Sequence, residues 1–528
     1  MQLVAYGAQD VYLTGNPQIT FWKVVYRRHT NFAVESIEQV FNGTGDFGKK
    51  VVCQIQRNGD LITKMYLRLG LPALASSYAW TPKIGHAVLK TVELNIGGTT
   101  IDKHYGDWFN VWYELARRFA HDRGYDQMIG NTTELTVPSS SYGTPEATLY
   151  VPLYFFHCRN DGLALPLIAT QYHDTRIEIE FNPVSQLVCQ IGETAVSPSA
   201  SLTSCSLFVD YVYLDSEERK KFAQASHEYL IEQLQFTGSE SVTSTNSKFR
   251  LNFNHPCKAL YWNTLQTKYV NTQGSNKYLA WNPKDWNATQ VLATKRAVLG
   301  WGSLTNSIFV SGVTETSDLA TEFGHAIDNA KAVYTDLSSG SVVAEDVDSV
   351  IITGSLLPWH LISQPVSVFG SRVSTAESGD ASAASDVIVR QFDNYGLFLN
   401  RTVNPVDKVL LQLNGQDRFS SRDGNYFNYV QPWQCHSNTP ADGINMYSFA
   451  LNPEEHQPSG TCNMSRIDNA TLNLTFVTGV NVIVNSSESQ AYGTYSVTPG
   501  GNSTCNIYAT NYNVLRIMSG MAGLAYSN

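Results

Sequence analysis

Residues 175–181 read TRIEIEF, and their strict alternation decides the fold class of this 528-residue chain. Ile177, Ile179 and Phe181 take one face and Arg176, Glu178 and Glu180 the other, the period-two mark of a half-buried strand. Far downstream, residues 471–477 read TLNLTFV and repeat the pattern with Leu472, Leu474 and Phe476. Further strand candidates are Met65–Leu69, Val92–Ile96, Leu207–Tyr213, Val387–Arg390 and Val409–Leu413. Between them lie turn clusters such as Asn58-Gly59-Asp60, Gly97-Gly98 and Asn414-Gly415. Many short strands with Gly/Asn turns and few helices predict antiparallel β-sandwiches.

The two alternating strands belong to a longer internal correspondence. Gly106-Asp107-Trp108-Phe109-Asn110 matches Gly424-Asn425-Tyr426-Phe427-Asn428 at an offset of 318. Each follows a strand and a hairpin-like turn, LNIGG at 94–98 and LQLNG at 411–415. Tyr154 and Phe156 match Tyr447 and Phe449, and Phe181 matches Phe476, at offsets of 293 and 295. The drop in offset implies a helical insert after Phe109 that the second copy lacks. A duplicated β-sandwich accounts for the pattern. The second copy is longer, with Ser311–Val350 rich in Ser, Thr, Ala and Asp and Val373–Asp386 close to low complexity. Such stretches read as exposed loops at one end of the second sandwich.

Two helices interrupt the strands. From Asp107 to about Arg123, Trp108, Trp112, Leu115 and Phe119 recur at helical spacing, with Arg117 and Arg118 turned outward. The stretch Asp215–Leu234 (DSEERKKFAQASHEYLIEQL) opens with Asp215 and Glu218 at capping-box spacing. It carries a buried stripe of Phe222, Ala225 and Tyr229, and is expected to be a helical connector between the copies.

Composition narrows the function. A net charge of −10 argues against a surface that neutralises nucleic-acid phosphates. Charged residues are 16%, below the usual ~25%, while 43% hydrophobic content excludes intrinsic disorder. The cysteines at 53, 158, 189, 205, 257, 435, 462 and 505 show no C-x-x-C spacing, so reduced buried thiols are expected rather than a zinc site. The opening MQLVAYGAQD lacks the features of a signal peptide, and no apolar run approaches the ~18 residues of a membrane span.

Catalytic patterns do not emerge. Glu217–Glu218 and Glu454–Glu455 are adjacent, which is not the facing geometry of an acid/base pair. His157 and His173, near Cys158, Asp161 and Asp174, fit no metal or nucleophile motif and read as satisfied core or rim histidines. Gly97-Gly98 lacks the context of a phosphate loop. No catalytic, cofactor-binding or metal residue is assigned. Arg27-Arg28-His29 sits among Trp22, Tyr26 and Phe32, either as ordinary solvated surface or as a contact with a membrane or partner. Among the N-x-S/T sequons, Asn287, Asn485 and Asn502 lie in loop-like contexts and are the candidate glycosylation sites.

Several long segments resemble the major capsid proteins of nucleocytoplasmic large DNA viruses, the phycodnavirus type above all. They are LVAYGAQDVYLTGNPQITFWKVVYRRHTNFAVE, RNGDLITKMYL, LDSEERKKFAQASHEYLIEQLQ and YSFALNPEEHQPSGTCNMSRIDNATLNLTF, and the likeness thins over about 270–390. The resemblance implies an all-β fold of two consecutive eight-stranded antiparallel jelly rolls, a double jelly-roll, joined by a helical connector. Its domains would be a base segment at 1–30, a first roll at 31–214, the connector at 215–235, and a second roll with enlarged surface loops at 236–528. It further implies homotrimeric, pseudo-hexagonal capsomers in the icosahedral shell of a large double-stranded DNA virus, made and assembled in the host cytoplasm. The implied partners are further copies of the chain, minor capsid and penton proteins, and an internal lipid membrane at the base. Trp22, Tyr26, Arg27 and Arg28 would lie on that side. No cofactor and no sequence-specific nucleic-acid binding is implied, and in some members the outer loops carry glycans. Two other readings stay open: a minor capsid paralogue, and a carbohydrate-binding β-sandwich suggested by 10 Trp and 28 Tyr residues.

Overall fold

The computed structural model describes residues 7–19, 21–22, 24–117, 119–136, 143–191, 198–266, 309–311, 331–335, 342–346, 387–388, 390–396, 403–477 and 503–526. In the first half the main strands are β1 (Phe32–Val40), β2 (Lys50–Gln54), β3 (Leu61–Leu71), β4 (Leu89–Ile96), β5 (Thr99–Tyr105), β6 (Ala147–Pro152), β7 (Thr175–Phe181) and β8 (Ser204–Leu214). They form two antiparallel sheets, ordered β1-β8-β3-β6 and β2-β7-β4-β5. The second half has β9 (His227–Phe236), β10 (Asn246–Arg250), β11 (Pro256–Gln266), β12 (Val406–Leu413), β13 (Gln416–Asp417), β14 (Asn445–Ser448), β15 (Ala470–Phe476) and β16 (Ser503–Met518). Its sheets are ordered β9-β16-β11-β14 and β10-β15-β12-β13. Adding eight to each label of the first half generates the second, so the repeat read in the sequence is a repeat of topology.

The alternation of β7 is realised side chain by side chain, because Ile177, Ile179 and Phe181 are buried while Arg176 is exposed. β7 pairs with β4, and its counterpart β15 pairs with β12. Both partner strands turn back through two residues at positive φ, Gly97-Gly98 and Asn414-Gly415, the geometry that tight hairpins require. Ile62, Leu67, Leu94, Ile177 and Val209 belong to the first core, and Phe249, Leu260, Trp262, Leu472 and Ile507 to the second. Ile231, Leu515 and Ile517 leave the second half to join the first core.

The helices differ from expectation. α1 spans Gly106–Ala116 and stops where Arg117 turns extended; separate short helices Asp122–Ile129 and Thr133–Thr136 follow. Arg117 does not point freely outward, since its guanidinium lies 3.9 Å from Asp122. The second copy keeps a helical segment here, a wide turn at Tyr426–Val430 running into Gln431–Cys435. The first copy's addition is therefore the pair of short helices, not α1 itself. The expected connector helix is also shorter: α2 spans Ser216–Gln224, Ala225 is extended and exposed, and β9 starts at His227. Residues 227–236 have enough helix formers to prolong the pattern, but ten register pairs with β16 override that weak preference. Phe222 and Tyr229 are half-buried, on different elements.

In the stretch expected to be loop, Phe309–Ser311, Lys331–Thr335 and Val342–Asp346 form a small antiparallel sheet. KAVYT and VVAED are short but carry β-branched and aromatic residues that suit strands. The candidate Val387–Arg390 shortens to Val387–Ile388, which pairs with Val188–Ile191 of the first half. Val373–Asp386 and the candidate glycan carriers Asn287, Asn485 and Asn502 lie outside the described residues.

Candidate assembly surfaces and the seam between the halves

α1 leaves β5 and lies across the outer face of the sheet β9-β16-β11-β14. Trp108, Val111, Trp112 and Leu115 pack with Tyr261, Ile444, Met446 and Tyr508, all buried. Trp108 contacts Tyr261 edge-on at 5.2 Å and Tyr508 at 5.5 Å between ring centroids. Asp107, in the first turn of α1, accepts hydrogen bonds from Asn263 (2.8 Å), Asn506 (3.2 Å), Tyr508 (2.8 Å) and Tyr395 (2.5 Å). Four donors and the helix N-terminus thus converge on one half-buried carboxylate. Its counterpart Asn425 is exposed. The two copies of the motif therefore differ in charge where their surroundings differ.

Two buried ion clusters flank this contact. Lys83, held at positive φ, donates to Asn110 at 2.9 Å, pairs with Glu114 and lies 3.8 Å from Asp393. On the other side Glu232 of β9 meets Arg159 at 2.7 Å, Lys258 at 2.9 Å and His456 at 3.5 Å. Burial alone would raise the Glu232 carboxyl, but Arg159, His456 and Lys258 overcome it and pull the group down to about 2. Lys258 also donates to the Glu455 carbonyl, Arg159 lies over the Trp112 ring at 4.2 Å, and Glu454 accepts from Ser437 and contacts His436 at 2.7 Å. Arg159 of the first half also donates to the Glu454 carbonyl at 3.4 Å, so the Glu454–Glu455 pair set aside as non-catalytic borders the seam.

The histidines considered as ligands do not converge. His157 is wholly buried beside Phe155, neither ring nitrogen has a partner, and burial pushes it down to about 3. It is a core residue but not a satisfied one. His173 sits at the rim, where Ala522 N–H donates to Nδ1 at 3.1 Å. Among the described residues no three His, Cys, Asp or Glu side chains gather as metal ligands would. The basic aromatic patch lies on an extended arm ahead of β1. Trp22 is 86% and Tyr26 83% exposed, and Arg27 and Arg28 are exposed beside them.

Of these residues, the sequence reading singled out the arm and the motif around Asp107, but not Lys83, Arg159, Glu232 or Lys258. Isolated charges far apart in sequence give no signal until strands bring them together. The Asp107/Asn425 mismatch was the one visible clue.

A repeated sandwich bound across a seam by buried charge, with apolar groups on its outer surfaces, defines a structural building block. Residues 20–215 match the family model described as major capsid protein N-terminus, and residues 218–523 the one described as large eukaryotic DNA virus major capsid protein. The chain is 44% identical to the major capsid protein of Phaeocystis pouchetii virus and 41% identical to capsid protein 1 of Acanthamoeba polyphaga mimivirus. Each match covers 100% of this chain and 99% of the relative. The crystal structure of PBCV-1 VP54, fitted into a reconstruction of the virophage Sputnik, aligns with a TM-score of 0.64 at 36% identity. That alignment covers 96% of this chain and 100% of VP54. The Faustovirus major capsid protein aligns with a TM-score of 0.59 at 12% identity, over 97% of this chain and 94% of that one, a likeness of fold alone. The chain belongs to the major capsid protein family of large eukaryotic DNA viruses. It is a structural component of the virion capsid, not an enzyme, and shares the mostly β, double jelly-roll architecture of viral capsid proteins.

Proposed function

We propose that the chain forms the shell as a homotrimeric, pseudo-hexagonal capsomer made of six eight-stranded jelly rolls. The observation that carries this reading is the shared strand order of the two halves, set side by side by one seam. Three such chains supply six near-equivalent units, and closed rotational symmetry is the usual way to end such a ring. The first roll spans 31–214, α2 opens the connector of 215–235, and the second roll continues through 236–528 with β9 as its first strand. Glycans on Asn287, Asn485 and Asn502 belong to the same reading, as does assembly in the host cytoplasm.

Residues 1–30 form the base, facing minor capsid and penton proteins and the internal membrane. From Val11 to Val34 the arm has no acidic residue, and Trp22, Tyr26, Arg27 and Arg28 combine aromatic and cationic groups suited to an anionic interface. Purified protein should sediment as a trimer, and the arm should resist protease in intact particles yet be cut in free trimers. A folded chain that stays monomeric at high concentration would refute the capsomer, and equal cleavage in both states would refute the base contact.

A further inference from the structure

We infer that Lys83 and Asn110 join in an intramolecular isopeptide bond, with Glu114 as the acid–base that moves the protons. The site lies where α1 begins its passage across the seam. Asn110 and Glu114 are one helical turn apart, so they share a face of α1. Lys83 approaches that face from just before the short helix Ile84–Ala87, on a left-handed backbone at φ +52° that few non-glycine residues adopt. Its Nζ donates to Asn110 Oδ1 at 2.9 Å and pairs with Glu114. Lys83 and Asn110 are buried, and Glu114 is largely withdrawn from solvent. The amide is held from its other end, because Asn110 Nδ2 donates to the Tyr395 hydroxyl at 3.0 Å. Asp393, 3.8 Å from Lys83 Nζ, lies on the same short segment of the second half as Tyr395. The site is therefore complete only when the two halves have docked. Buried Lys258, by contrast, donates to Glu232 and to the Glu455 backbone carbonyl, which gives it a carboxylate but no side-chain amide to join.

An amine, an amide and a carboxyl in one dry place can react without a cofactor. Across their short contact Glu114 takes a proton from the Lys83 ammonium, and burial favours the transfer because it replaces two charges with none. The neutral amine is a nucleophile, and its lone pair forms the bond from Nζ to Asn110 Cγ. Glu114 delivers its proton to Nδ2, takes another from Nζ, and the Cγ–Nδ2 bond breaks. Ammonia leaves with that last proton as ammonium, Glu114 ends ionised, and nothing is oxidised or reduced. A cavity of about 250 Å³ bordered by Lys83, Asn110 and Asp393 receives the leaving group. The bond ties the start of α1 to the chain ahead of Ile84–Ala87. Reducing conditions do not break it, whereas the eight cysteines of the chain are all free thiols.

Mass spectrometry of the full-length folded protein tests this. Wild type should lack the mass of one ammonia, and trypsin should release a branched peptide joining Lys83 to Asn110, since an acylated lysine is not cleaved. Lys83→Arg keeps the positive charge but should retain the ammonia. Glu114→Gln keeps the shape but should slow formation by about a hundredfold or more, leaving freshly purified chain mostly unlinked. Wild type at full mass, with trypsin cutting after Lys83, overturns the inference. So does a lost ammonia with that cleavage intact, which marks a succinimide at Asn110 instead. A Glu114→Gln chain that links as fast as wild type overturns the role of Glu114. If either variant fails to fold, the wild-type peptide map alone decides.

Discussion

Glu232 joins charges from both halves at the seam. It is buried between Arg159 and Lys258, and Lys258 has no exposed side-chain surface. Removing one member of such a cluster leaves the others charged and dry, at a cost of about 3–5 kcal/mol. Glu232→Gln should lower stability by that amount, read by denaturant titration; a loss below about 1 kcal/mol would mean that water already reaches the cluster. Acid acts on the same scale. Burial pushes His86 and His157 down to about 3 from an ordinary 6.5. Between those values the unfolded chain holds more protons than the folded one, so stability is complete above pH 6.5 and falls as pH drops towards 3. Each histidine contributes roughly 1.4 kcal/mol per pH unit in that window. Glu232 adds a loss of the same sign as pH falls from 4.5 to about 2. The melting temperature should therefore decline steadily from pH 6.5 to 4, and His157→Phe should flatten the decline. A midpoint unchanged between pH 7 and 4 would contradict both assignments.

At the scale of elements, the duplicated glycine explains itself. A Cβ on Gly106 would lie 2.1 Å from the Leu89 carbonyl oxygen, and one on Gly424 would lie 1.9 Å from that of Val406. In each copy the helical segment starts against the backbone at the head of its own sheet strand, where nothing can yield without moving the strand. Gly106→Ala and Gly424→Ala should each destabilise by about 3 kcal/mol, measurable by thermal unfolding. A neutral result at either position would show that the helix start can shift. The same scale shows where sequence reading failed. Residues 227–236 have helix formers and an apolar stripe, yet they pair along β16, and neither property of the segment announces a partner nearly three hundred residues away. Strand β7 was legible because its solvent and core faces alternate within seven residues.

At the scale of the whole molecule, the halves are not independent. The outer face of β9-β16-β11-β14 is covered by α1, and Ile231, Leu515 and Ile517 complete the first half's core. Residues 215–528 expressed alone should expose Tyr261, Met446 and Tyr508 and aggregate, and co-expression of 1–214 should restore soluble protein. A well-folded, soluble second half on its own would show that the seam is dispensable. A buried seam of aromatic and charged groups is what lets a duplicated sandwich act as one rigid unit.

The sequence by itself determined the strands with clean alternation, the hairpin turns, the duplication and, through long shared segments, the family. These are local or repeated signals, and each is complete within a few residues or can be compared between copies. Only the tertiary structure decided where α1 and α2 end, that β9 is a strand, and which isolated charges meet in the seam. Those outcomes depend on pairing and burial between distant segments, where the gain from a shared sheet or a desolvated ion cluster exceeds any local preference. The Asp107/Asn425 difference stands between the two: visible in the sequence, but explained only once Asp107 is seen hydrogen-bonded at the seam and Asn425 exposed.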